Sequence, residues 1–203
     1  MPRFIDCVQG SQAWFDCRAG HATASRFADI LSGKAARESY LYELVAERLA
    51  GPLRDGGGRA KEWGHESEDH ARRAYTIRTG ELVQQVGFAV HSKILWCGAS
   101  SDGLVGDDGS LEIKSPFNSG VHAKTLALGM PEEHYWQVVG NIWILGRKWL
   151  DFASYDPAYK APYDLYVQRF ERDETAIKHL EVEVKKFLAE VAIAVKDIKS
   201  KYH

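Results

Sequence analysis

The sequence predicts an α/β fold in which a central mixed β-sheet is flanked by helices. Helical apolar spacing dominates both ends of the chain. Strand-like alternation fills most of the middle, and one further helical pattern interrupts those strands.

In chain order, Thr23 to Leu31 (TASRFADIL) reads as a short helix ending near Gly33. Leu41, Leu44, Val45 and Leu49 continue a second helical pattern, stopped by Gly51-Pro52, and Gly56-Gly57-Gly58 is expected to be a turn. From Lys61 to Thr79 an approximate apolar face (Trp63, Ala71, Ala74, Tyr75, Ile77) predicts a helix ending at Gly80. Glu81 to Val90 and Leu95 to Ser100 read as strands. Leu111-Glu112-Ile113-Lys114 alternates apolar and charged residues, the pattern of a half-buried strand with both charges on one face. Asp107-Asp108-Gly109 before it signals a hairpin turn. A helix is expected from Pro131 through Gln137 and Asn141 to Ile144, then strands over Trp149–Tyr155 and Tyr163–Phe170. Asp173 caps a long closing helix in which Ile177, Leu180, Val184, Phe187, Leu188, Val191 and Val195 recur at helical spacing.

Composition bounds the function. No Pro/Gly/Ser-rich linker divides the 203 residues, so one domain over 1–203 is expected, and 45% apolar residues can build a core. A net charge of −2 argues mildly against a protein that coats nucleic acid. Three cysteines (Cys7, Cys17, Cys97), odd in number and without a C-x-x-C pair, point to buried free thiols in a reducing cytoplasm rather than to disulfides or a Cys-rich metal site. The polar start predicts no signal peptide, and the apolar runs fall short of the ~20 residues of a membrane helix. Eight histidines lack H-x-x-x-H spacing and are expected to be structural or solvent-facing. Most tryptophans suit a core (Trp14, Trp143, Trp149).

The chemistry concentrates in Ser101-Asp102-Gly103 followed by Glu112-Ile113-Lys114, with nine residues between Asp102 and Glu112. Two carboxylates on adjacent strands can reach one cation, and hard oxygen ligands suit Mg²⁺. Lys114 lies two residues beyond Glu112, hence on the same strand face, where an ammonium can orient water or balance charge on phosphorus. An isolated E-x-K is most often a solvated strand face. Here the upstream Asp102 and the following Ser115-Pro116-Phe117 favour a site.

Asp-x₉-Glu-x-Lys resembles the PD-(D/E)xK nuclease core. More closely, the chain is similar to the lambda-exonuclease (YqaJ-like) viral recombinase nucleases. Trp14-Phe15-Asp16-Cys17-Arg18 with Thr23-Ala24-Ser25, the helix Trp63-Gly64-His65-Glu66-Ser67-Glu68 with Ala71-Arg72, the core segments Ser100–Leu104 and Leu111–Phe117, Trp136-Gln137-Val138, and Tyr155-Asp156-Pro157 match that family's motifs in order. Ala158 and Val139 depart from the pattern, standing where an Arg and a second Gln can occur.

The resemblance implies a PD-(D/E)xK, restriction-endonuclease-like core and a single exonuclease domain over 1–203. Asp102, Glu112, the Ile113 carbonyl and Glu68 (or Glu66) would hold metal, Lys114 would be the catalytic lysine, and the Gln137 amide would lie near the metal or the scissile phosphate. Arg18, Ser25 and Ser100 would receive a 5′-terminal phosphate, chemistry that suits an arginine fork and hydroxyl donors. The implied activity is Mg²⁺-dependent 5′-to-3′ exonuclease action on linear double-stranded DNA, leaving 3′ single-stranded overhangs for recombination. Mn²⁺ would substitute, and two ions would occupy each site. A ring-shaped homotrimer, a single-strand annealing protein as partner and a phage or prophage origin in a bacterial cytoplasm are implied too. A PD-(D/E)xK endonuclease or RecB-like repair nuclease, and a non-catalytic DNA-end-binding module, remain open alternatives. The intact Asp102/Glu112/Lys114 set argues against the module.

Overall fold

The structure is a computed structural model that describes residues 1–53 and 59–202, with the backbone alone at 59–62 and 64–66. The expected turn at Gly56–Gly58 and the side chain of Glu66 lie outside the described residues.

Nine strands form two sheets among the described residues. The larger has the order β3 (Val83–Gln84), β6 (Gly103–Val105), β7 (Gly109–Lys114), β8 (Trp149–Tyr155), β9 (Leu165–Glu171). The expected turn joins β6 and β7 as an antiparallel hairpin, whereas β7 and β8 run parallel. A parallel pair needs a crossover, and it is built from α5 (Ser119–Leu128), a 3₁₀ turn (Glu132–His134) and α6 (Tyr135–Leu145). Helix α4 (Arg59–Thr79) covers one face, where Ala71 and Tyr75 pack with Leu111, Ile113 and Ala153. Helix α6 covers the other.

That double cover corrects one expectation. Strand β7 is buried on both faces through Ile113, with Glu112 only 2% exposed, rather than half-buried. One strand's alternation cannot reveal that the opposite face is also roofed. The alternation itself holds: Leu111 and Ile113 meet α4, while Glu112 faces α6.

The smaller sheet, β1 (Arg3–Ile5), β4 (Phe88–Val90), β5 (Cys97–Ala99) and β2 (Ala22–Thr23), was not expected. It splits the run 81–90 between two sheets. It also claims Ala22-Thr23, which pair in parallel with Cys97-Gly98, so the expected helix at 23–31 shrinks to a 3₁₀ turn (Ala24–Arg26) and α2 (Phe27–Leu31). Behind β1, the backbone of Ile5 and Cys7 passes so close to Gly87 that any Cβ there would collide with it.

The closing helix forms as expected. In α7 (Glu174–Lys201) the Asp173 carboxylate accepts from the N–H groups of Thr175 and Ala176 at 2.8 and 3.1 Å. Its buried face runs through Ile177, Leu180, Val184, Phe187 and Val191, and each such side chain contributes about 1.5–3 kcal/mol when fully buried. The Tyr40 ring of α3 (Lys34–Ala50) stacks on Phe187 with centroids 5.3 Å apart. Helix α3 starts well before Leu41 because Lys34-Ala35-Ala36-Arg37-Glu38 are strong helix formers without apolar periodicity. Helix α1 (Gln12–Arg18), capped by Ser11, completes the set. Among the described residues no helix is long and apolar enough to cross a membrane.

The cysteine expectation is half corrected. All three thiols are free and Cys97 is buried, but Cys7 and Cys17 are only partly covered.

Candidate active site

The hairpin and the crossover bring the central candidates together. Asp102 stands just before β6, and its Oδ2 accepts the Ile113 N–H at 2.6 Å. Glu112 Oε1 accepts from Lys114 Nζ at 2.7 Å and from Gln137 Nε2 at 2.5 Å. Its Oε2 accepts from Asn141 Nδ2 at 2.8 Å. Gln137 and Asn141 are one turn apart on α6 and so share a face. In the sequence Asn141 is a helix residue whose only signal is its spacing of four from Gln137, and a polar residue in an apolar helix does not reveal its partner.

Glu68, on α4, pairs with Arg72 at the edge of the same site. The Arg72 guanidinium also grips Asp69 at 2.6 Å and approaches the Asp102 carbonyl at 3.4 Å. In the sequence Arg72 stands out only as part of the family motif. A cleft of about 450 Å³ opens here, lined among others by Asp6, Cys7, Gln9, Glu68, Arg72 and Asp102. Gln9 braces its wall, donating through Nε2 to the carbonyls of Val86 at 2.9 Å and Ser101 at 2.8 Å.

The electrostatics are those of crowded anions. Burial first, then the charges of Glu112 and Glu68, push the Asp102 carboxyl well above the usual carboxylate range, against the pull of Lys114 and the Ile113 N–H. Burial works against the Lys114 ammonium, but Glu112 and Asp102 outweigh it and hold its pKa above the ordinary lysine value. The donor chemistry fits a hard divalent cation, which would relieve this like-charge crowding. The side chains are not gathered as a closed cage. Among the described residues no group of three or more His, Cys, Asp or Glu is placed to hold a metal ion. Asp102 and Glu112 instead spend their oxygens on Ile113, Lys114, Gln137 and Asn141.

The second cluster lies on the N-terminal side. Arg18 ends α1, and its guanidinium sits 3.9 Å over the Trp14 ring. Trp14 is half-buried rather than a core residue, and its Nε1 donates to Ser100 Oγ at 2.9 Å. Arg18, Trp14 and Ser100 are thus linked. Ser25 is exposed in the 3₁₀ turn, with its Oγ 3.3 Å from Thr23 Oγ1. Burial lowers the Arg18 pKa, partly offset by Tyr40 and Glu47. Among the described residues no carboxylate forms an ion pair with Arg18, whereas neighbouring Arg26 is tied to Asp29 and Glu43. His122, far from solvent, bridges Ser154 Oγ and the Tyr163 carbonyl, a structural role as expected.

The model of the YqaJ-like viral recombinase domain matches residues 13–148, a span that holds both clusters. The chain belongs to the YqaJ-like viral recombinase family. LHK-Exo, an alkaline exonuclease from Laribacter hongkongensis, is 40% identical to this YqaJ-like chain. Their structures agree with a TM-score of 0.90 over 95% of this chain and 98% of that one. A second structure of LHK-Exo, in complex with dAMP, matches to the same degree. A phage related exonuclease from Haemophilus somnus 129PT shares the fold at 14% identity, with a TM-score of 0.67 over 90% of this chain and 96% of that one. No curated protein sequence matches the chain. The YqaJ-like chain thus has the PD-(D/E)xK fold expected from its hairpin.

Proposed function

We propose that this protein is a Mg²⁺-dependent exonuclease that degrades linear double-stranded DNA from its 5′ ends as a single domain over residues 1–203. The observation that carries the reading is the convergence of Asp102, Glu112, Lys114 and Gln137 at one end of the β6–β7 hairpin. Membership of the YqaJ-like family and 40% identity to an alkaline exonuclease support nuclease chemistry of the exonuclease type.

Asp102, Glu112 and the Ile113 carbonyl, with Glu68 beside them, would hold the metal, one or two ions of Mg²⁺ or Mn²⁺. When bound, a divalent cation supplies Lewis-acid charge at the scissile phosphate and makes water a stronger nucleophile. The protein's own groups do the rest. The Lys114 ammonium, kept charged by Glu112 and Asp102, orients the attacking water and offsets charge that develops on the phosphoryl oxygens. Gln137 and Asn141 fix the Glu112 carboxylate, and the Ile113 N–H fixes Asp102. The Arg18 fork, which no carboxylate among the described residues pairs, with Ser100 and Ser25 as further donors, would take the 5′-terminal phosphate and so select ends over internal sites.

On this reading the product is a duplex with 3′ single-stranded overhangs, and the protein acts with a single-strand annealing partner in phage-type recombination. A homotrimeric ring around DNA, in the cytoplasm of a bacterial host, completes the proposal. The test is incubation with Mg²⁺ and linear duplex DNA labelled at one 5′-phosphorylated end, beside a closed circle. Loss of nucleotides from the 5′ end with the circle spared is expected. Cutting of the circle would instead identify an endonuclease, and binding without cutting a DNA-end module.

A further inference from the structure

We propose that Cys7 and Cys17 form a redox-active dithiol, a modification site at which a small-molecule disulfide closes a Cys7–Cys17 cross-link and slows the adjacent active site. The second half rests on the nuclease reading above; the first does not.

The two sulfurs lie 3.8 Å apart, although the residues are ten positions apart in sequence and in different segments. Both are partly exposed, unlike Cys97. Cys7 lines the cleft shared by Glu68, Arg72 and Asp102, which gives a small oxidant a path to it. Cys17 sits behind, its thiol turned to the Trp14 carbonyl at 3.3 Å. A disulfide needs about 2.05 Å between sulfurs, so the pair must close by roughly 1.8 Å.

The exchange balances without any other reagent. Cys7 gives up its proton and attacks one sulfur of the small disulfide. That S–S bond breaks, and the first small thiolate leaves and takes up a proton. Cys17 then loses its proton and attacks the Cys7 sulfur, expelling the second small thiol. Two protein thiols are oxidised and one disulfide is reduced to two thiols. Burial, then the hydrogen bond and charge of Cys7, push the Cys17 thiol up to about 12. Converting Cys7 to a mixed disulfide removes that second contribution just when Cys17 must react.

Closure would be felt at the site through two short connections. Gln9, two residues beyond Cys7, holds the Ser101 carbonyl next to Asp102. Arg18 directly follows Cys17. A displacement of about 1 Å in a positioning element can cost up to about 100-fold in rate, so a fall of about tenfold or more is expected on oxidation.

The experiment treats the full chain with glutathione disulfide, then counts free thiols after denaturation and maps the unreduced peptides. The expected result is one remaining thiol (Cys97), a Cys7–Cys17 linked peptide, and a linear-duplex degradation rate that falls and returns on reduction. Cys17→Ser is expected to keep the reduced rate and lose the oxidant response. Retention of all three thiols, or stable glutathione adducts without a linked peptide, would overturn the dithiol. A linked peptide with an unchanged rate would overturn the coupling. A reduced protein that degrades no DNA would sink the nuclease reading, while the thiol count still decides the cross-link.

Discussion

Replacing Asn141 by alanine removes a buried amide that donates to Glu112 Oε2 at 2.8 Å. A hydrogen bond to a charged group contributes about 1.5–3 kcal/mol, and its loss leaves a buried carboxylate oxygen without a donor. With a urea slope of about 2 kcal/mol/M, the unfolding midpoint should fall by roughly 1 M. The functional effect is separate. Groups that orient a ligand carboxylate typically carry about 10–100-fold in metal affinity, so the Mg²⁺ concentration for half-maximal degradation should rise by that order. Asn141→Leu keeps the volume but not the donor, so it should lose less stability and match alanine in its metal requirement. Urea melts of both variants, beside Mg²⁺ titrations of duplex degradation, check the pair. If stability falls while the half-saturating Mg²⁺ stays put in both, Asn141 is a core residue only, and its role in positioning Glu112 is refuted.

Four other outcomes are expected. Asp102→Asn should abolish cleavage while leaving the metal-free fold at least as stable at neutral pH, because the native carboxyl is crowded by Glu112 and Glu68; a cleaving variant would remove Asp102 from the metal site. Lys114→Ala should depress turnover far more than DNA affinity, and equal losses in single-turnover and binding assays would reduce Lys114 to a phosphate clamp. Arg18→Ala should shrink the rate advantage of 5′-phosphate over 5′-hydroxyl ends, and an unchanged ratio would take Arg18 out of the pocket. Burial, then Lys114, lowers the His134 pKa from 6.5 to about 4. A histidine depressed on folding contributes stability that is present above pH 6.5 and lost as pH falls toward 4. Wild type should therefore lose on the order of 2 kcal/mol more than His134→Gln between about pH 7.5 and pH 5 in denaturant melts, and parallel profiles would contradict this.

Local signals carried much of this molecule. Asp173 and the spacing from Ile177 to Val191 specified α7, the Asp107-Asp108-Gly109 turn specified the hairpin, and Glu112-x-Lys114 placed two charges on one face. Gln137 stands out in the sequence only through the family motif. The misses are non-local or lack a periodic signal. Strand β1 exists because Arg3–Ile5 pair with Phe88–Val90, far along the chain. Helix α5 buries His122 and Thr125 while exposing Val121 and Leu128, so its apolar residues mark no consistent face. Asn141 and Gln9 each act through partners on other elements, and Arg72, though paired with Glu68 and Asp69 on its own helix, reaches the site only through the Asp102 carbonyl. The Cys7/Cys17 pair likewise arises only when the cleft wall folds against α1.

The central position of β7 has a further consequence. Hydrogen-bonded on both edges and roofed on both faces, the part of the strand that bears Glu112 can open to solvent only when the sheet itself comes apart. The Trp14–Arg18 segment belongs to α1, a short helix without a buried residue. In amide exchange the first should be among the slowest parts to take up deuterium and the second among the fastest. Proposed bond breaking and proposed end selection therefore sit on parts of unequal local stability. If those roles hold, substitutions in the Trp14–Arg18 segment would shift which termini are accepted without loosening the strand that carries Glu112 and Lys114.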